Sequence, residues 1–450
     1  MSKRSRAVFL LPIVLSACAA VGPNYTTPAA GTPAQFVGGG TISVGTVAAI
    51  EWWRDLGDAQ LNALVSRGLG QNLDIRTSLE RIEETRAVLR GTGIPQAVSG
   101  DPTVATTRSG GSGIATGTTT SASLNAALVL DIFGGQRRAV EQATAQYQAA
   151  NYDAGTVRLA FLASLTGAYV DARYFQEALA LTRQTIASRE RTVSLVRAQE
   201  NAGAASELDR VQAQALLEEA RASLPALETG FENAVYGIAT LLAEPAGPLM
   251  ADLRKGAPQP YPKGGSAAGV PADLLRNRPD VRASERTLAA AVSNVGIAEA
   301  DLYPSVSLTG TVTAADNGSW GFGPSLSLPV ASQSRLRASR AQAISQAKQA
   351  ELDWRAQILN AVEDTQSAQS AYRRNQRALA AFRSASASYA RALELSRATY
   401  SAGTTDLLNL LDAERSRSTV RLSVAGAAQN LANSWINLQV STGRGWAAAP

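Results

Sequence analysis

The stretch YSAGTTDLLNLLDAER, Tyr400 to Arg415, interrupts one helical pattern at Gly403 and begins another, which runs through a leucine cluster to Asp412. The same arrangement occurs 200 residues earlier as ENAGAASELDRVQAQA, Glu200 to Ala215, with Gly203 in the place of Gly403. A turn that returns at a fixed distance indicates an internal repeat. The repeat decides how the rest of the chain is organised.

The repeat extends well beyond the two turns. Between residues 173 and 233 a shift of 200 pairs many identical residues without a gap, and NLDIR at 72–76 corresponds to RPDVR at 278–282. We therefore predict a first copy over 51–245, a linker over 246–270, a second copy over 271–445 and a C-terminal tail over 446–450. Each copy is predicted to contain a helix, a β-hairpin, a very long helix, a tip turn at Gly203 or Gly403, and a return helix.

The two hairpins are predicted from alternating apolar and polar residues. In the second copy SVSLTGTVT at 305–313 and WGFGPSLSLPV at 320–330 alternate on either side of the turn DNGS at 316–319. In the first copy SASLNAALVLDI at 121–132 alternates, and its weaker partner lies within 98–109. A period of two gives each strand one apolar and one polar face. The hairpins are placed at about 96–132 and 304–331.

The helices that follow the hairpins are very long. Neither the pattern from Gly134 to Asn201 nor that from Gln333 to Ser401 contains a proline. At 1.5 Å per residue each helix would extend on the order of 100 Å. An ordinary long coiled coil is one interpretation, because large apolar residues of the second helix approach a heptad spacing. That interpretation leaves the hairpins unexplained.

Four strands with one lipid-compatible face pose a problem of closure. A bilayer does not tolerate an open sheet edge, because unpaired N–H and C=O groups find no water there. Four strands cannot close a barrel, so several chains must share one. Two chains would give eight strands and an interior filled by side chains, whereas three would give twelve strands and a lumen. The alternative is a soluble sheet packed on helices, which would also show alternation.

The N-terminus has the pattern of an export signal. MSKRSR is basic, AVFLLPIVL is a short apolar core, and LSAC at 15–18 resembles the bacterial lipobox. We predict a lipoprotein signal peptide over 1–17, a covalent lipid on Cys18 and an extended tether over 18–50. Ala19 in place of Asp indicates the outer membrane by the usual bacterial sorting pattern. The alternative is an ordinary cleavage site that happens to contain a cysteine.

Composition argues against an enzyme. The chain has no histidine, which removes the commonest general base and the commonest metal ligand, and Cys18 is its only cysteine. The formal net charge of +5 nearly disappears without the three basic residues of the extreme N-terminus, so nucleic-acid binding is not supported. We expect no enzyme activity, no metal site and no cofactor other than the lipid.

Several motifs together resemble one family. These are VGPNY at 21–25, EWWRDLGDAQLNALV at 51–65, LDIFGGQRR at 130–138, RNRPDVRASERTLAAA at 276–291, ADLYPSVSLTG at 300–310, SWGFGPSLSLPV at 319–330 and the stretch from Tyr400 to Arg415. In this order they closely resemble the TolC-like outer-membrane efflux proteins, in the lipoprotein branch (NodT- and OprM-like) that serves resistance–nodulation–division (RND) pumps. The segment SLPVASQSRLR departs from the family, because it lacks the F…GR pattern of many relatives after the fourth strand.

The resemblance implies an α+β membrane protein built from three chains. Four strands from each chain would form a trimeric 12-stranded outer-membrane β-barrel, continuous with a long periplasmic barrel of α-helices and with an equatorial segment at 246–270. The implied function is a passive exit duct for drugs or other small molecules. The implied partners are two further copies of the chain, a periplasmic adaptor (membrane fusion protein) and an inner-membrane RND-type or similar transporter.

The resemblance also implies a gate at the helical tips. Leu408 and Asp412 match the leucine and aspartate that close the family's periplasmic aperture. Asp209 and Tyr400 match residues that latch the tips by hydrogen bonding. Thr405 replaces an arginine of some relatives, which predicts a looser latch. Asn409 replaces a second aspartate found in some ducts.

Two other functions are compatible with the sequence. A type I protein-secretion duct would share the architecture and differ in its pump. A lipid-anchored coiled-coil rod would conduct nothing. A soft-metal exporter is a further possibility, although Met250 is the only methionine beyond the first residue, which leaves no specific ligand set for such ions.

Overall fold

The computed structural model describes residues 20–93, 99–314 and 318–447. Five predicted features lie outside the described residues: the signal peptide at 1–17, Cys18, the start of the first hairpin at 96–98, two residues of the DNGS turn (Asp316 and Asn317) and the end of the tail at 448–450. The chain divides into two compact units, each described below by its own contacts. Unit 1 comprises 1–31, 79–153 and 280–357, and unit 2 comprises 32–78, 154–279 and 358–450.

The first half of the chain is mainly helical. A short 3-10 helix, Trp52–Leu56, is followed by α1 (Ala59–Gln71), α2 (Leu73–Gly93), β1 (Ser99–Gly111), β2 (Ile114–Leu130), α3 (Gly135–Asn201), α4 (Glu207–Ala222), α5 (Leu224–Leu242) and α6 (Ala246–Leu253).

The second half also has two helices, two strands and a long helix in that order, but a single helix follows its long helix. It comprises α7 (Pro271–Asn277), α8 (Pro279–Ala300), β3 (Ser305–Ala314), β4 (Ser319–Ser327), α9 (Gln333–Ser401) and α10 (Leu407–Ser441).

The long helices α3 and α9 run without a break for 67 and 69 residues. Elsewhere the structure divides segments that the sequence pattern predicted as single helices. The first return helix consists of α4 and α5, which separate at Ser223, because Pro225 in the first turn of α5 cannot continue the hydrogen bonding of α4. Asn72 separates α1 from α2, and its side chain accepts a hydrogen bond from the Ile75 amide at 3.0 Å. Among the described residues no helix is both long and apolar enough to cross a bilayer.

The four strands form one antiparallel sheet in unit 1, in the order β1-β2-β3-β4. Its register places Leu124 opposite Val312, and Val312 opposite Trp320, so apolar side chains from β2, β3 and β4 share one face. Trp320 is 77% exposed and Leu124 48%, so this face is uncovered in the single chain. The opposite face is polar, and there the Thr311 hydroxyl donates to the Asn125 side-chain oxygen at 3.0 Å.

Proline occurs only in the outer strands of the sheet, and one glycine makes room for an aromatic ring. The outer strands β1 and β4 contain Pro102 and Pro324, whereas the inner strands β2 and β3 contain none. This is the distribution expected, since proline cannot donate to a central ladder. Gly310 faces Phe322 across the pair β3 and β4, and a Cβ at Gly310 would come within 2.5 Å of that ring. Glycine therefore lets the aromatic ring lie flat on the sheet.

Residues 20–31, predicted as part of an extended tether, have no helix or strand and are held in unit 1 by bonds to the start of α3. Arg138, 3% exposed, donates from Nε to the Val21 carbonyl oxygen at 3.1 Å and from Nη2 to the Asn24 side-chain oxygen at 2.7 Å. Gly22 has φ +83°, and a Cβ there would lie 2.6 Å from the Gly296 Cα. Only glycine fits this approach to α8.

Tryptophans form part of the core of unit 2. Trp52 packs edge-to-face on Trp53 and on Trp435, with ring centroids 5.9 and 5.8 Å apart. The Trp52 indole nitrogen donates to the Arg444 carbonyl oxygen at 3.0 Å. The buried indole N–H of Trp52 thus has a hydrogen-bond acceptor, while its ring contributes apolar area to the core.

Candidate functional site

The candidate site lies in unit 2, where α3 turns into α4 and α9 turns into α10. Both turns end the preceding helix in the same way. The Gly203 amide donates to the Glu200 carbonyl oxygen at 2.9 Å, and the Ala204 amide donates to the Gln199 carbonyl oxygen at 2.8 Å. This pair of bonds is a Schellman motif, and it places Gly203 in the left-handed region at φ +73°.

The second turn repeats this geometry. The Gly403 amide donates to the Tyr400 carbonyl oxygen at 3.0 Å, and the Thr404 amide donates to the Thr399 carbonyl oxygen at 3.0 Å. Gly403 has φ +69°. A side chain at either glycine would be strained by the backbone alone, because open space surrounds both positions.

The helix after the first turn begins with a capping box. The Asp209 carboxylate accepts from the Ser206 amide and from the Ser206 hydroxyl, both at 2.8 Å, and the Asp209 amide donates to the Ser206 hydroxyl oxygen at 3.2 Å. These bonds lower the pKa of Asp209, because they favour its charged form. The predicted latch residue therefore caps its own helix in the single chain.

In the helix after the second turn the acidic residue is the N-cap residue itself, whereas in α4 the acidic Asp209 lies three residues after the N-cap. Asp406 caps α10 and accepts from the Asn409 amide at 3.0 Å and from the Asn409 side-chain nitrogen at 2.8 Å. The Asn409 side-chain nitrogen also donates to the Thr405 hydroxyl at 3.1 Å. Thr405 and Asn409, which depart from the family pattern at this turn, thus bond to each other.

An apolar cluster supports both turns. Its buried members come from α3, α4 and α10: Val193, Val196, Ala213, Leu216, Leu217, Leu407, Leu410 and Leu411. Tyr400 packs against the cluster, and its hydroxyl donates to the Gln199 side-chain oxygen at 2.5 Å. Burial raises the pKa of Tyr400, with a further contribution from the nearby negative charge of Asp209. In the single chain Tyr400 and Asp209 each bond to a different partner, Gln199 and Ser206.

The two predicted aperture residues lie on the exposed side of α10. Leu408 is 63% exposed although the leucines on either side in the apolar cluster are buried. Asp412, one helical turn later, is also exposed. Leu208 at the start of α4 is 64% exposed, so each return helix presents a leucine next to its cap. Exposed leucines at corresponding positions are available for contacts beyond the single chain.

The structure adds partners that the sequence reasoning missed. Ser206, Asp406 and Gln199 hold the turn residues through the bonds given above. The pattern Ser-x-x-Asp at 206–209 before an apolar helix was a signal for a capping box. Within the part of the chain that the structure describes, no group of three or more acidic, histidine or cysteine side chains is placed to hold a metal ion.

Comparison with known proteins extends over nearly the whole chain. The family model described as outer membrane efflux protein matches residues 76–244 and 270–444. Nodulation protein T of Rhizobium leguminosarum bv. viciae is 36% identical over 454 residues, covering 98% of this chain and 94% of its own length. The pyoverdine export outer membrane protein OpmQ of Pseudomonas aeruginosa is 28% identical, covering 96% of each chain.

Solved structures show the same fold. The outer-membrane channel OprN superposes with a TM-score of 0.86 at 31% identity, covering 95% of this chain and 99% of its own.

Proposed function

Because the chain belongs to the outer membrane efflux protein family, we propose that it is the outer-membrane exit duct of a tripartite efflux system. The duct passively exports drugs or other small molecules. An inner-membrane RND-type transporter delivers them through a periplasmic adaptor. The similarity to OpmQ, a pyoverdine export protein, supports a small-molecule cargo.

The observation that carries this proposal is the two-faced sheet with open edges. Its apolar face is uncovered, and its outer strands β1 and β4 have no further strand beside them among the described residues. In a bilayer such edges must pair, which favours joining β1 of one chain to β4 of the next. Three chains give twelve strands, with the Ser- and Thr-rich face towards a lumen and the apolar face towards lipid.

The position of the N-terminal segment supports a lipid anchor on Cys18. The Val21 amide donates to the Phe133 carbonyl oxygen at 3.0 Å. A Cβ at Gly134 would come within 2.4 Å of the Ala20 Cβ, so Ala20 lies against the chain shortly after β2 ends at Leu130. Two residues span at most about 7 Å. A lipid on Cys18 would therefore enter the membrane close to the periplasmic end of the sheet.

The duct is gated at the tips in this proposal. Three copies bring six helix turns together, and the exposed Leu408 and Asp412 of α10 form the narrowest ring. Asp209 and Tyr400 latch neighbouring tips in the closed state. Their placement supports this role, because Tyr400 packs against the apolar cluster at the tips and Asp209 lies in the first turn of α4.

Conductance across a planar bilayer tests the proposal. Purified protein should insert and produce uniform single-channel steps, because twelve strands enclose a water-filled lumen. A coiled-coil rod anchored by lipid would bind the bilayer without conducting, and that result would refute the duct. Deletion in the native host should then sensitise cells to small toxic compounds, whereas loss of a secreted protein without such sensitivity would indicate a secretion duct instead.

A further inference from the structure

One face of α9 stays exposed in the single chain. Residues spaced three and four apart along this helix are all exposed, and we call them the arginine stripe: Arg374, Arg377, Ala381, Ser384, Ser388, Arg391, Leu395 and Ala398. This spacing places side chains in one line along a helix, as in helices that pack lengthwise against each other. The face therefore suits a second helix, with arginines set among small and apolar residues.

The return helix of the first copy has an exposed face of the same kind. Its members, which we call the acidic stripe, follow the same spacing across α4 and α5: Leu208, Val211, Ala215, Glu218, Ala222, Pro225, Thr229 and Glu232. All are exposed except Glu232, which is partly exposed. Ser223, between the two helices, keeps a right-handed helical backbone with φ −80° and ψ −18°, so the stripe continues through the break.

The two stripes can be compared by their distances from the tips. Both tip turns lie at one height, because the Tyr400 hydroxyl, three residues before Gly403, donates to the Gln199 side chain, four residues before Gly203. A helix rises about 1.5 Å per residue, so residues equally far from the glycine of their own tip lie at equal heights. Because α9 runs towards its tip and the return helix runs away from its own, the two stripes are antiparallel.

Complementary residues occupy equal heights on the two stripes. Arg374 and Glu232 each lie 29 residues from the glycine of their own tip, which sets a positive charge against a negative one. Leu395 and Val211 each lie 8 residues from their glycines, and both are 49% exposed. Serines and alanines fill most positions between them, so the backbones of two such helices can approach closely.

The charged members have little compensation in the single chain. Among the described residues Arg374 has no hydrogen bond or ion pair, and Glu232 has only Arg254, at 3.9 Å. Arg391 and Glu218 differ in height by about 4.5 Å, and each bonds only to side chains of its own helix. Exposed ion pairs of this kind contribute little stability, so these four groups are available to a partner.

The internal repeat shows how such helices pair. Within the single chain α3 of the first copy contacts α10 of the second copy, where Arg421 donates to the Gln184 side-chain oxygen at 2.6 Å and the Thr185 and Ser418 hydroxyls bond at 3.1 Å. A shift of 200 residues converts this contact into one between α9 and the return helix of the first copy. The described residues contain no hydrogen bond or ion pair between α9 and α4 or α5, which leaves this second contact to another copy of the chain.

We propose that the acidic stripe of one copy binds the arginine stripe of the next copy, antiparallel and with the tips at one height. Arg374 pairs with Glu232 and Arg391 with Glu218, and the apolar members nearer the tips pack on each other. The same contact repeated head to tail closes a ring. This inference rests on the proposed function, because the trimeric duct supplies the neighbouring copy. It adds that exposed ion pairs, which salt weakens, join the copies below the barrel.

Disulfide cross-linking tests the pairing, since Cys18 is the only cysteine of the chain. Leu395→Cys combined with Val211→Cys brings two thiols to one height and leaves every ion pair intact. Oxidation in isolated outer membranes should convert most of the protein to covalent dimers and trimers on a non-reducing gel, because a disulfide needs Cα atoms within about 7 Å. Arg374→Cys combined with Val211→Cys is the matched control, because the same helices carry the thiols but their heights differ by about 30 Å.

Exchange of charges tests the ion pairs. In the chain with the matched cysteines, Arg374→Glu combined with Arg391→Glu should lower the yield of cross-linked copies at least about threefold, because like charges then face each other. Adding Glu218→Arg and Glu232→Arg should restore the yield. A yield that stays low after the exchange would overturn the ion pairs.

The particle mass in mild detergent, measured in parallel, separates this inference from the proposed function. A trimer whose matched cysteines do not join different copies, or join them no better than the offset pair does, would overturn the pairing of the stripes and leave the duct standing. A monomer would overturn the duct and the pairing of the stripes together.

Discussion

The Asp209 carboxylate accepts two hydrogen bonds from Ser206, one from its amide and one from its hydroxyl, both at 2.8 Å. At the second tip the acidic residue is the N-cap residue, Asp406, which accepts from the amide and the side-chain nitrogen of Asn409. The first turn of α4 carries Glu207 and Asp209, and α10 is capped by Asp406, so both return helices have negative charge near the positive end of the helix dipole. The two tips differ in which residue carries the charge.

Removal of the Ser206 hydroxyl should loosen the first turn of α4. Ser206→Ala loses the N-cap acceptor for the Asp209 amide, at a cost of about 1 kcal/mol. Amide hydrogen exchange at residues 207–210 should therefore accelerate about fivefold. Ser206→Thr keeps a capping hydroxyl and serves as the control. Unchanged exchange in Ser206→Ala would mean that packing on the apolar cluster, not the cap, holds this turn.

Removal of the Asp412 carboxylate should weaken block by multivalent cations. If three Asp412 side chains converge on the axis, Asp412→Ala removes three negative charges from the narrowest ring. The concentration of a trivalent cation that halves single-channel conductance should then rise about tenfold or more. Glu394→Ala is the control, because Glu394 is an exposed acid of α9 that pairs with Arg391. Equal block of wild type and Asp412→Ala would place the constriction elsewhere.

Removal of the Asp209 carboxylate should raise basal conductance. Asp209→Ala eliminates both its cap and its contribution to a latch between tips, so the closed state loses stability relative to the open state. Tyr400→Phe separates the two roles, since it keeps the ring on the apolar cluster and loses only the hydroxyl bond to Gln199. Single-channel recordings of both variants that match the wild type would exclude the latch.

Replacement of Cys18 should abolish acylation. Cys18→Ser has no thiol for the lipid, so metabolic labelling with a radioactive fatty acid should disappear and the signal peptide should stay attached. Any of this protein that reaches the outer membrane should remain there as an integral protein, because one lipid anchor is weak beside a spanning barrel. Persistent acyl labelling would refute the assignment of the anchor.

The long helices and the strands β3 and β4 lie close to their predicted positions, whereas β2 begins at Ile114, seven residues before the predicted start at Ser121, because residues 115–120 are Ala, Gly and Thr and carry no apolar alternation. The helices α3 and α9 contain no proline, so their limits follow from the glycines and turns at their ends. β1 is rich in Ser, Thr and Gly, so it lacks the apolar alternation that identifies its neighbours. The return helix of the first copy was predicted as a single helix, although Pro225 is a sequence signal for the break between α4 and α5.

At the tips the sequence predicts the turns but not the partners of their side chains. The turns at Gly203 and Gly403 can be predicted from the sequence, because a helix that ends in this way needs a residue in the left-handed backbone conformation, which glycine adopts most easily. The bond from the Tyr400 hydroxyl to the Gln199 side-chain oxygen joins residues 201 apart in the sequence, and no spacing rule predicts which side chain the hydroxyl reaches. The burial of Glu414 on α10, where its Oε1 accepts from the Thr192 hydroxyl at 3.1 Å and from Arg397 at 2.9 Å, was equally hidden, since a charged residue on a helix is ordinarily assigned to the solvated face.

The number of chains that close the barrel is best measured by the mass of the particle extracted in mild detergent. Light scattering with correction for bound detergent, or native mass spectrometry, should give three times the protomer mass found under denaturing conditions. Twelve strands then enclose a lumen. A stable monomer that retains its strand signal, or a dimer whose eight strands are filled by side chains, would contradict a shared trimeric duct.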